Sequence, residues 1–131
     1  MSHNRPTPVL ARTEARALHL LVRDRALRNA LQAALSSHDW SVQHHSRLSD
    51  LWTAAHAPGG VAVLDWAVAD GLLTEEHRHD LAQLSQRMQL IVLVPEAWLK
   101  YLSAEDLGVA ALVPKAWAPR ALLSALQTVA S

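Results

Sequence analysis

Val61-Ala62-Val63-Leu64-Asp65-Trp66-Ala67-Val68-Ala69-Asp70-Gly71 runs four apolar residues straight into a carboxylate and then closes on Asp-Gly. An apolar run of this length between turn residues is the pattern of a strand buried on both faces. Such a strand belongs inside a parallel sheet. It sets Asp65 at the carboxyl end, where open parallel sheets place their chemistry. Outward from it the same rhythm repeats. Leu18-His19-Leu20-Leu21-Val22 precedes it, Leu90-Ile91-Val92-Leu93-Val94 follows, and Ala110 to Val113 makes a last short run. Trp40, Val42 and His44 alternate with Ser41, Gln43 and His45, as in a half-buried edge strand.

Helical spacing fills the gaps between these runs. Ala26, Leu27, Ala30, Leu31, Ala34 and Leu35 form one stripe. Leu48, Leu51, Trp52 and Ala55 form another, stopped by Pro58-Gly59-Gly60. Leu81, Leu84 and Met88 give an apolar face to a helix capped by Thr74, with Glu75 and Glu76 in its first turn. Glu96 to Leu107 reads as a short or broken helix, re-capped at Ser103 and ended by Gly108. Ala121, Leu122, Leu126 and Val129 mark the final helix. Strand then helix, five times, predicts a doubly wound α/β domain. The expected sheet is five-stranded and parallel, in the order 2-1-3-4-5, with helices on both faces.

Composition narrows the function. The chain has 131 residues, suited to one domain, and half of them are hydrophobic. Cysteine is absent, which excludes disulfides, thiolate metal sites and cysteine nucleophiles. Twelve Lys and Arg balance twelve Asp and Glu, so no net field draws nucleic acid to this domain. The one tight basic group is Arg23, Arg25 and Arg28. No apolar run approaches the roughly 20 residues of a membrane span. A cytoplasmic protein is expected. Among the eight histidines, His44 and His45 fall on opposite strand faces, and His77 and His79 are poorly spaced on a helix, so no histidine metal site is expected.

Three segments carry a family resemblance. Leu64-Asp65 with Asp70-Gly71, Val22-Arg23-Asp24, and Gly108-Val109-Ala110-Ala111-Leu112-Val113-Pro114-Lys115-Ala116-Trp117 lie in order at the ends of the expected strands. The chain resembles the receiver, or CheY-like, domain of two-component response regulators from about Leu18 to Ala130. The polar, proline-bearing N-terminus is expected to be a partly flexible arm over 1–16, and the resemblance implies a receiver-like domain over 17–131. It implies Asp65 as phosphoacceptor and Lys115 as the lysine that faces the phosphoryl group. It implies Mg2+ held by Asp24, Asp65 and the Ala67 carbonyl. It also implies a histidine kinase or another signalling protein as partner, and no enzyme activity beyond self-catalysed aspartyl phosphorylation and dephosphorylation. Trp98, Tyr101, Leu112 and Trp117 fall on the face of fourth helix, fifth strand and fifth helix, where a homodimer or output partner would dock.

Departures from the family pattern are equally specific. Arg23 stands at the first acidic position, where a guanidinium repels a cation and can pair with Asp65 instead. Val94 replaces a Ser or Thr and has no hydroxyl to meet a phosphoryl oxygen. Leu112 replaces the mobile aromatic residue, and Ala116 replaces the proline after the lysine. A cis Lys115-Ala116 bond would cost about 3 kcal/mol, so the direction of Lys115 stays open. These changes predict a pseudo-receiver, degenerate or weakly phosphorylatable at Asp65. Blander roles stay open: Asp24 as a helix cap, Lys115 as a surface lysine, and the aromatic residues as core cover. A conventional phosphoacceptor receiver is the alternative. A flavodoxin-like enzyme or nucleotide-binding protein ranks low, because Arg23-Asp24-Arg25 offers no glycine to let backbone amides cradle a phosphate.

Overall fold

The computed structural model describes residues 16–54, 60–65 and 75–130. Strands β1 (Arg16–Leu21), β2 (Trp40–His44), β3 (Gly60–Asp65), β4 (Met88–Val94) and β5 (Ala111–Pro114) form one parallel sheet in the order β2-β1-β3-β4-β5. Helices α1 (Arg25–Ser36), α2 (Leu48–Ala54), α3 (Glu75–Ser85), α4 (Ala104–Leu107) and α5 (Arg120–Ala130) alternate with the strands. Short 3-10 turns occupy Glu96–Lys100 and Lys115–Trp117. The expected arm, except for Arg16, lies outside the described residues. So do the Pro58-Gly59 stop, the Trp66 to Gly71 loop with Ala67, and the Thr74 cap.

Continuous apolar runs became inner strands because both faces of the sheet are covered. Leu18, Leu20, Val61, Val63, Ile91 and Leu93 turn to a layer closed by Leu31 and Leu35 of α1 and by Leu122 and Leu126 of α5. Leu21, Ala62, Leu64, Leu90, Val92 and Val94 turn the other way, onto Leu51 of α2, Leu81 and Leu84 of α3 and Leu107 of α4. The period of two thus sorts β1, β3 and β4 into two cores. At the edge, β2 keeps Trp40 buried while Ser41, Gln43 and His44 are exposed. An edge strand needs only one covered side.

Met88 corrects the expected helical face. It opens β4 and pairs in register with Gly60, and it is 2 % exposed. Helix α3 ends at Ser85, and the chain turns at Gln86 and Arg87. Leu81 and Leu84 alone anchor that helix in the core, and Met88 continued their spacing by coincidence. The broken helix is as expected. Ser103 accepts from the Asp106 amide at 3.2 Å while Asp106 accepts from the Ser103 amide at 3.2 Å, a reciprocal cap. Gly108 then ends α4 at φ 72°, a left-handed turn that a side chain would strain.

Candidate functional site

Sheet register brings the three quoted segments to one rim. Leu21 of β1 pairs with Leu64 of β3, Asp65 pairs with Leu93 of β4, and Val94 pairs with Pro114 of β5. Asp65 therefore ends the central strand with the ends of β1 and β4 beside it. It is 1 % exposed. Burying an ionised carboxylate is costly unless the protein supplies compensating charge or donors.

Lys115 supplies that charge. Its Nζ lies 3.0 Å from Asp65 Oδ2, and its side chain is 34 % exposed. The lysine that the resemblance assigns to the phosphoryl group turns toward Asp65 even without a proline after it. Two strand spacings, about 10 Å, separate β3 from β5, and the lysine stem reaches back across the end of β4. The cis bond among the described residues is Ala118-Pro119, three positions further on.

Asp24 has a different engagement. It is exposed, with φ −67° and ψ 116°, and its Oδ1 accepts from the Leu27 amide at 3.1 Å. That is the N-cap geometry of α1. Arg23, one residue earlier, is exposed at the same rim, and Val22 is buried in the α1–α5 layer. The acid pair of the family pattern is thus met by an exposed arginine and a capping aspartate. The contrast between Asp24→Ser and Asp24→Ala isolates the cap. Asp24→Ala should cost about 1 kcal/mol of stability in urea denaturation, and Asp24→Ser should cost almost none. An equal loss in both variants would assign the carboxylate another task.

A magnesium ion asks for an octahedral shell of oxygens, usually with one or two carboxylates. Among the described residues, no three His, Asp or Glu side chains group closely enough to hold a metal. Asp24 is turned to its own helix, Lys115 already faces Asp65, and Arg23 adds a cation at the rim. The described residues do not fit a magnesium centre. Ala67, whose carbonyl the resemblance implicates, lies outside them.

Val94 is wholly buried at the end of β4, in the layer of α2, α3 and α4. It offers two methyl groups at the rim. Leu112 and Trp98 pack partly buried against that same core, while Tyr101 and Trp117 are 79 % and 58 % exposed. The aromatic group thus divides: Trp98 covers core, and Tyr101 and Trp117 face solvent.

No protein-family model matches the sequence, and no curated protein matches it. Solved structures do. The chemotaxis response regulator CheY4 of Vibrio cholerae is similar at a TM-score of 0.65 and 19 % identity, over 88 % of this chain and 98 % of that one. This chain has the CheY-like receiver fold. A response regulator from Thermotoga maritima is similar at a TM-score of 0.64 and 13 % identity, over 88 % of this chain and 97 % of that one. Identities this low carry the receiver fold and leave the chemistry to the site's own residues. No described helix is long and apolar enough to cross a membrane.

Proposed function

We propose that the chain is a receiver-like signalling and protein-interaction domain of a two-component system, degenerate or weakly phosphorylatable at Asp65. One observation carries this reading: the rim around the buried Asp65 carboxylate, apart from Lys115, has lost the family's receiver chemistry. Asp24 caps a helix, Arg23 is a cation, and Val94 has no hydroxyl. A phosphoryl group arriving there would meet one lysine and no hydroxyl on β4 to report it. The domain then works through a settled conformation. Its docking surface is the face bearing Trp98, Tyr101, Leu112 and Trp117, offered to a signalling protein or a second copy. On this reading the protein is cytoplasmic, binds no nucleic acid through this domain, and is not an enzyme.

A conventional phosphoacceptor is the second reading, and the 3.0 Å Lys115–Asp65 contact favours it. An Asp65 oxygen would attack the phosphorus of a phosphohistidine on a histidine kinase. The O–P bond forms as the N–P bond breaks, and the pair of electrons leaves on the imidazole. Lys115 would offset charge on the phosphoryl oxygens.

Exposure to acetyl phosphate with Mg2+, read by intact mass, separates the two. The degenerate reading expects little or no addition to the wild-type chain, and no large change in tryptophan fluorescence with beryllofluoride. Full labelling within minutes, abolished by Asp65→Asn, would establish the conventional one.

A further inference from the structure

His19 interrupts the apolar run of β1. It is 8 % exposed, and with Asp65 it is one of two polar residues buried among the described residues. Its Nδ1 lies 2.9 Å from Nε2 of His45, a residue 26 positions away at the junction between β2 and α2. The two rings sit 5.1 Å apart, inclined at 42°. Directly beside them the His45 amide donates to the Leu20 carbonyl at 2.9 Å, so ring and backbone fasten the same junction to β1. On its other flank His19 meets Gly60 of β3, where an added Cβ would come within 3.9 Å of the ring. Met88 of β4 closes the same corner, 3.8 Å from that Cβ position.

An N···N hydrogen bond needs a hydrogen on one nitrogen and a lone pair on the other. A neutral pair meets that condition, and so does a singly protonated one. A doubly protonated pair presents two N–H groups and two positive charges, and has no acceptor. We propose that His19 and His45 form a proton-operated latch: with at least one ring neutral it holds the β2–α2 junction against β1, and protonation of both rings releases it. The groups around the latch make this one-directional. Gly60 and Met88 do not titrate. Among the described residues, the ionisable group that bears on His19 is His45, and those that bear on neighbouring His44 are Arg28 and His45. All are bases, so none favours added positive charge. Burial first, and His45 second, hold the His19 imidazolium below its ordinary value of 6.5. Burial, Arg28 and His45 do the same for His44, whose Nε2 also bonds Gln32.

The sign follows from linkage. A released ring takes up a proton near 6.5, whereas the latched ring resists until lower pH. The released form therefore holds more protons below 6.5. The latch contributes fully above 6.5 and loses strength as pH falls from there to the lowered latched value. Each proton taken up only on release changes the closed-to-open ratio by up to about tenfold per pH unit.

The full chain, labelled with nitrogen-15 and followed by NMR from pH 8 to pH 5, tests the latch. The His19 ring should titrate below 6.5. The protection factor of the His45 amide, with the base-catalysed intrinsic rate taken out, should fall several-fold across that window, while amides of β4 remain protected. His45→Gln, at a half-buried position, should flatten the pH dependence of His45-region exchange and of urea stability between pH 7 and pH 5. His79→Gln, an exposed control, should leave both as in wild type. A His19 midpoint at or above 6.5 overturns the proposal, as does an unchanged pH slope in His45→Gln. None of these readouts involves Asp65, so their outcome is independent of phosphorylation.

Discussion

Lys115→Met should destabilise the domain by about 1–3 kcal/mol at neutral pH. Removing one partner of a fully buried ion pair costs about 3–5 kcal/mol. Here the carboxylate is 1 % exposed but the lysine side chain is 34 % exposed, so water screens part of the attraction and the figure comes down. Methionine keeps most of the stem's packing and removes only the charge. The measurement is urea denaturation of a double-mutant cycle with Asp65→Asn. If the lysine acts by neutralising Asp65, Lys115→Met should cost far less in the Asp65→Asn background than alone. Equal costs in the two backgrounds would mean that Lys115 contributes by packing, and the charge argument for the pocket would fail. The same cycle bears on function. A pocket in which the two groups are strongly coupled has a settled electrostatic state that an incoming phosphoryl group must disturb.

Lys115 also shows where sequence reasoning reached its limit. The position of Asp65 was legible because four apolar residues ending in a carboxylate can only sit one way in a buried parallel strand. The sheet order and the two-layer burial followed from strict alternation, and Ser103 and Gly108 marked the ends of α4 through their own cap chemistry. The direction of a lysine was not legible in this way. It depends on where the β5 rim lies relative to Asp65, and that is set by the register of β4 against both neighbours. Asp24 fits equally the patterns of a cap and of a ligand, since both need a short carboxylate before a helix. Only the 3.1 Å contact with the Leu27 amide chooses. The His19–His45 pair left one signal, a polar residue inside an otherwise apolar run. Its partner lies on another strand's end, beyond any local periodicity.

Leu93→Ala should be strongly damaging, at about 2–5 kcal/mol. Leu93 is wholly buried in β4, in register with Asp65, and it faces the layer closed by α1 and α5. Removing its branched end strips apolar area from the core and leaves a void that flanking strands, tied by backbone hydrogen bonds, cannot close. A domain of this size typically holds only about 5–15 kcal/mol of stability, so this one change can remove much of it. Gln89→Ala is the matched control. Gln89 lies in the same strand on the same side of the pleat, but it is exposed at the opposite end, and its loss should fall within about 0.5 kcal/mol of zero. Urea midpoints of the two variants, compared at equal slope, give the answer. A Leu93→Ala loss as small as that of Gln89→Ala would mean that the core under the Asp65 rim is loosely packed. A loosely packed rim would contradict a settled pocket more directly than any labelling result, because a fixed Lys115–Asp65 geometry needs the strands beneath it to hold their register.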